Sequence, residues 1–184
     1  MEENEIKIGD QTWTTKNLDV ETYRNGDAIP QVEDQEEWAN LTTGAWCYYE
    51  NESDNCTTYG NLYNWYAVND PRGLAPKGFH IPSDAEWTIL TENLGYKAGT
   101  KMKSTSGWDD DGNGTNSSGF AGLPGGQRGH NGYFYHIGSS CHWWSSSESK
   151  ADSAWSRYIY SVYGYLSTNA NLERSGFSVR CLRD

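Results

Sequence analysis

The stretch Asp109-Asp110-Asp111-Gly112-Asn113-Gly114 carries the opening of a calcium-binding loop. Asp109, Asp111 and Asn113 offer oxygen at alternate positions, and Gly114 sits where an EF-hand loop turns sharply. The twelfth position should hold a bidentate glutamate and is Phe120 instead, and no helix leads in, so an EF-hand is excluded. A looser oxygen cage for calcium, built on Asp109, Asp111 and Asn113, stays open beside the plainer reading of a solvated acidic turn. The histidines His80, His130, His136 and His142 are scattered. His80, beside Ile81-Pro82, reads as a packed or hydrogen-bonded ring rather than a base. No nucleophile elbow, zinc-binding H-E-x-x-H helix or phosphate-cradling loop occurs, and Pro124-Gly125-Gly126 reads as a structural turn. The expectation is a protein that is not an enzyme.

The cysteines are Cys47, Cys56, Cys141 and Cys181. Cys47 and Cys56 flank a polar turn. Their spacing suits a disulfide closing a hairpin, which would place the chain in an oxidising compartment; free buried thiols are the alternative. Cys141 and Cys181 read as free buried thiols. No C-x-x-C pair supports a zinc cage.

The elements that must position these groups differ between the two halves. Glu5–Ile8 alternates polar and apolar, Gly9-Asp10 turns, and Gln11–Trp13 continues, which predicts an opening hairpin. Asp34 caps a short helix through Leu41, Ala45–Tyr49 reads as a strand, and Tyr59–Val68 reads as one buried helical segment. In Ser83–Gly95, Ser83 and Glu86 form a capping box, Trp87, Leu90 and Leu94 share one helical face, and Gly95 ends the helix. Beyond residue 98 helix signals vanish. Strands are predicted at 120–123, 133–137, 142–145, 154–162 and 176–182, separated by Gly-rich turns. The pattern is α+β, with neither linker nor fixed-period repeat, so one domain over 1–184 is expected.

Composition narrows the partners. The chain has 184 residues with a net charge of -11, nine Trp and thirteen Tyr. So acidic a chain repels phosphate backbones and anionic membrane surfaces, so no nucleic acid is expected. No apolar run is long enough to span a bilayer, so no membrane insertion is expected. Met1–Glu5 is acidic and is no signal peptide. Either a leader was removed beforehand or the protein leaves the cell another way, for example inside a virus particle. Tyr, Ser, Asn and Gly together are the vocabulary of recognition loops, because Tyr offers wide contact with few torsions.

Six strings carry a resemblance in order along the chain: Gln11–Leu18, Tyr59–Tyr66, Gly78–Trp87, Ser118–Gly126, Trp143–Glu148 and Gly176–Asp184. Together the chain resembles the Fibrobacter succinogenes major paralogous domain. That resemblance implies a C-type lectin-like fold: two helices packed on twisted antiparallel strands, long irregular loops, and termini that pair near each other. It also implies kinship at the C-terminus with formylglycine-generating enzymes, but Cys141 and Cys181 lie too far apart to match their closely spaced cysteine pair.

Members of this family resemble the targets of diversity-generating retroelements, in which a C-terminal segment is varied by mutation. The resemblance places that segment at about 129–175, just before Gly176–Cys181. Scaffold-type residues such as Trp143, Trp144, Trp155 and Arg157 interleave there with mutable types. Alternation along Ser156–Tyr160 puts Ser156, Tyr158 and Tyr160 on one strand face and Arg157 and Ile159 on the other. Cross-strand tyrosine pairs stabilising a sheet are the structural alternative. The expected contact residues are Tyr133, Tyr135, His142, Ser156, Tyr158, Tyr160, Tyr163 and Tyr165. The expected function is non-catalytic recognition of a surface protein or glycan on a bacterial cell, facing outward from a phage virion or cell surface. A calcium-dependent glycan-binding lectin is the second reading and a formylglycine-generating-type enzyme the third. An oligomer is possible.

Overall fold

A computed structural model describes residues 4–184; the first three residues of the acidic opening segment lie outside them. In chain order the elements are β1 (Glu5–Ile8), β2 (Gln11–Thr14), α1 (Gln35–Ala39), β3 (Trp46–Cys47), a 3-10 turn (Tyr49–Asn51), α2 (Asp54–Tyr59), β4 (Leu62–Tyr63) and α3 (Trp65–Val68). Then follow β5 (Phe79–His80), α4 (Asp84–Leu94), α5 (Ala98–Met102), β6 (Gly125–Arg128), β7 (Phe134–Ile137), β8 (Ser140–Lys150), β9 (Ser153–Tyr160), β10 (Ser167–Leu172) and β11 (Leu182–Arg183). Helix and strand intermix, so the class is α+β.

Three sheets organise the described residues. The first has the order β1-β2-β11-β5, so the last strand lies between the opening hairpin and β5. Leu182 pairs with both Trp13 and His80, and Arg183 forms an ion pair with Glu5. The first and last strands of the described residues therefore share one sheet. The second sheet has the order β10-β9-β8-β6-β7; its pairs are antiparallel except a single parallel contact of Gly126 with Cys141. The third joins β3 to β4.

Packing follows from the period of two along β8. Neighbouring side chains point to opposite faces, so Trp143 and Trp144 enter different cores. Trp143 packs with Trp13, Trp87, Phe120 and Ile159. Trp144 packs with Phe177, Trp65 and Trp46, and its indole N–H donates to the Tyr63 carbonyl at 2.8 Å. Both indoles are fully buried. Helix α4 presses Trp87, Leu90 and Leu94 onto the first of these cores. Its capping box forms as the sequence predicts: Ser83 Oγ accepts from the Glu86 amide, and Glu86 accepts from the Ser83 amide at 2.8 Å. Gly95 ends the helix at φ +64°, a conformation that costs a glycine little.

Several expectations are corrected. Tyr59–Val68 is no single helix; it holds the end of α2, then β4, then α3. Asn64 causes the break, because its Oδ1 accepts from the amides of Ala67 and Ala45 and so starts a new helix. Five α-helices occur among the described residues where the resemblance implied two, and α5 lies in a stretch without helical signals. Residues 120–123 form a loop rather than a strand. Residues 176–178 make only isolated bridges, with the regular strand confined to Leu182–Arg183. No hairpin disulfide closes Cys47 to Cys56: Cys47 is buried in β3, Cys56 lies in α2, and all four thiols are free.

Candidate ligand-binding surface

The β8–β9 pair sets the register of the expected contact residues. Ser140 lies opposite Tyr160, His142 opposite Tyr158, and Trp144 opposite Ser156. All six share one sheet face. At its Trp144 end that face is sealed by the core around Phe177. On the β9 side Tyr158 and Tyr160 come partly out to solvent, although Ser140 opposite Tyr160 stays buried.

Rings link across this opening. Tyr158 and Tyr160 meet edge to face with centroids 5.5 Å apart, and Tyr160 meets Tyr163 at 6.4 Å. Tyr160 also meets His136 at 6.0 Å, and His136 meets Tyr135 at 6.0 Å. An aromatic path thus runs from β9 to β7. The three pairs that Tyr160 makes along this path are edge to face, an arrangement that holds its geometry and presents wide contact area. Tyr133, Tyr135 and Tyr163 are exposed, and Tyr158 and Tyr160 are half-buried. Tyr165 is exposed too, but its ring pairs with Tyr96 beside α5, at 6.3 Å.

Two expected contact residues are corrected. His142 is 6% exposed, because Phe177 covers its face at a centroid distance of 5.0 Å. Burial, with a smaller contribution from neighbouring His136, pulls its pKa down to about 3, so the ring is neutral. Its Nε2 lies 3.2 Å from Ser140 Oγ, and its Nδ1 has no partner among the described residues. Ser156 is fully buried; its hydroxyl donates to the Asn169 carbonyl and accepts from Asn171 Nδ2 at 2.8 Å. Strand parity places both on the expected face, but a second layer covers that part of it. These two are framework, not contact.

The other side of β9 anchors the surface. Arg157 is buried and donates to Asp84 Oδ1 at 2.6 Å and to the Asp84 carbonyl at 3.1 Å, tying the strand to the start of α4. Arg128 holds the β6–β7 hairpin. It donates to the carbonyls of Gly132, Val32, Glu33 and Asp34, and its guanidinium lies 4.4 Å over the Trp38 ring. Sequence reasoning missed Arg128, and it missed His136 as a link in the ring path. His136 holds φ +69° at the end of β7, a turn signal that Gly138 beside it gives in the sequence.

The acidic loop sits against the same hairpin. The Asp109 amide donates to the Gly138 carbonyl at 2.9 Å, and its carboxylate lies against Gly138. Asn113 Oδ1 accepts from the Trp108 amide at 3.0 Å, which spends that oxygen on the turn itself. Asp110 and Asp111 both hold positive φ. No three His, Cys, Asp or Glu side chains come together as a metal-holding group among the described residues.

A family model described as Fibrobacter succinogenes major domain matches residues 6–183. No curated protein and no solved structure matches the chain.

Proposed function

Since the chain belongs to the Fibrobacter succinogenes major domain family, we propose that it is a non-catalytic recognition domain on a C-type lectin-like scaffold. Its C-terminal third presents an aromatic surface to a protein or glycan on a bacterial cell. In this reading the chain faces outward from a phage virion or a cell surface, and residues 129–175 are the segment that a diversity-generating retroelement varies.

One observation carries the reading. Around one sheet, Tyr135 on β7, Tyr133 just before it and Tyr163 in the loop after β9 stand exposed, while Trp143, Trp144 and Arg157 within the sheet are buried. Exposed tyrosines on a stiff base bind at low conformational cost, which is how paratopes work. His142 and Ser156, both of mutable type and both buried, mark the inner limit of the surface.

The test uses the labelled chain and a panel of intact bacterial cells. The wild type binds some members of the panel. The double variant Tyr135→Ala, Tyr163→Ala loses that binding while keeping its melting temperature within a few degrees. Binding that survives the double substitution, or a panel with no bound member, would overturn the reading. A parallel arm with a chelator separates a calcium-dependent lectin from a calcium-independent surface.

A further inference from the structure

A cleft of about 630 Å³ opens among residues that take no part in the aromatic surface. Lys16, Asn17, Asp19, Thr57, Thr58 and Arg180 are among those that line it. The chain carries a net charge of -11, yet the ionic groups of this lining are two cations against one carboxylate.

Arg180 is the unusual member. It is 1% exposed and in no ion pair with a carboxylate among the described residues. Its Nε donates to Asn17 Oδ1 at 2.7 Å, and its Nη1 donates to the carbonyls of Thr14 and Phe120 at 2.8 and 2.9 Å. Its Nη2 donates to the Ala121 carbonyl at 3.3 Å. A guanidinium has five N–H groups, so one Nη2 hydrogen meets no protein acceptor among the described residues. Every acceptor is neutral. The nearby Cys141 and Cys181 are neutral as well, because burial pushes both thiols up. Burial pulls Arg180 down to about 9, which leaves it charged at neutral pH. A buried cation whose acceptors carry no charge projects a positive field into the space beside it. Lys16 adds a second cation in no ion pair among the described residues.

We propose that this cleft binds a small organic carboxylate, with Lys16 and Arg180 supplying the positive charge and the hydroxyls of Thr57 and Thr58 reading the groups around it. A carboxylate fits the spare N–H better than a neutral acceptor, since charge-assisted bonds are about twice as strong. Two sources offer that chemistry: an acidic sugar and the free C-terminus of a peptide.

Calorimetric titration of the whole chain distinguishes them. The probes are glucuronate and an N-acetylated dipeptide acid, each against its uncharged counterpart, glucose and the dipeptide amide. Saturable binding by either acid, absent for its counterpart, supports the proposal and names the source. Lys16→Gln weakens that binding about tenfold, the loss of one charge-assisted contact. Asp19→Asn strengthens it, because a like charge leaves the cleft. Arg180 is left intact, since it ties together three segments. The double variant Tyr135→Ala, Tyr163→Ala binds the acid normally, which separates this site from the aromatic surface. No binding by either acid, equal binding of the neutral probes, or an unchanged affinity in Lys16→Gln would overturn it.

Discussion

His142 and Tyr158 face each other across the β8–β9 pair with ring centroids 5.5 Å apart and planes only 16° from parallel. One ring belongs to the interior and the other reaches towards solvent. The stack is therefore the seam at which the core ends and the aromatic surface begins.

Acid should test that seam. His142 titrates near 3 in the folded chain, against an ordinary histidine value of 6.5. Between those limits only the unfolded chain binds the proton. Stability falls as pH falls across that window, by up to about 1.4 kcal/mol per pH unit. His142→Phe removes the titration and the partnerless Nδ1 together, so its denaturation midpoint should drop less from pH 7 to pH 4.5 than that of the wild type. His80 contributes with the opposite sign. Burial pulls it down, but hydrogen bonds to Asp184 and Glu86 outweigh this and raise it. Its stabilisation is present below about 6.5 and is lost as pH rises through the raised value. His80→Gln should therefore steepen the acid loss. An equal slope in wild type and His142→Phe would show that the ring is not shielded.

Tyr163 and Tyr160 are neighbours with different duties. Tyr163→Ala removes an exposed ring and should cost about 0.5 kcal/mol or less. Tyr160→Ala removes a half-buried ring that four other rings touch. It should cost roughly 1–3 kcal/mol in urea unfolding. Equal costs would mean that the path lies wholly outside the framework.

Arg128→Lys keeps the charge and loses the fork. Four carbonyls and a stacked Trp38 depend on that planar group. The expected loss is about 2–4 kcal/mol, visible as a fall in the thermal midpoint. A fall no larger than that of a surface lysine exchange would refute the role assigned to it.

Thiol labelling reads the cysteines directly. Cys47, Cys141 and Cys181 are buried, and burial pushes their thiols up, Cys47 and Cys181 to about 12. Cys56 is the one partly open thiol. Brief iodoacetamide treatment of the native chain should add a single adduct, at Cys56, and treatment after denaturation without reductant should label all four. A pair that resists labelling until reduced would reveal a disulfide.

Local signals in the sequence were legible where one element decides its own form. The Ser83–Glu86 box and the Gly9 turn needed only neighbours within a few residues. The α+β class and the alternation along β9 were legible for the same reason. What could not be read was which stretch of a strand face receives a second layer. Phe177, which buries His142, comes from a segment thirty-five positions on that shows no regular strand. β10 escaped notice because Ser167–Leu172 is mostly polar and pairs at an edge. Arg128 and Arg180 escaped because most of their acceptors are backbone carbonyls far along the chain, and carbonyls leave no mark in a sequence.

The position of β11 has a consequence for how the molecule is made. Its two residues fill the slot between β2 and β5, which do not touch each other in that sheet. A nascent chain can assemble the hairpin and α4 early, yet it cannot close this sheet until residues 182 and 183 have left the ribosome. Any frameshift or premature stop in the tyrosine-rich segment would leave the β2 edge of the opening hairpin unpaired. The edge of the opening hairpin thus waits for the far end of this fold, and joining it to β5 is among the last steps of assembly.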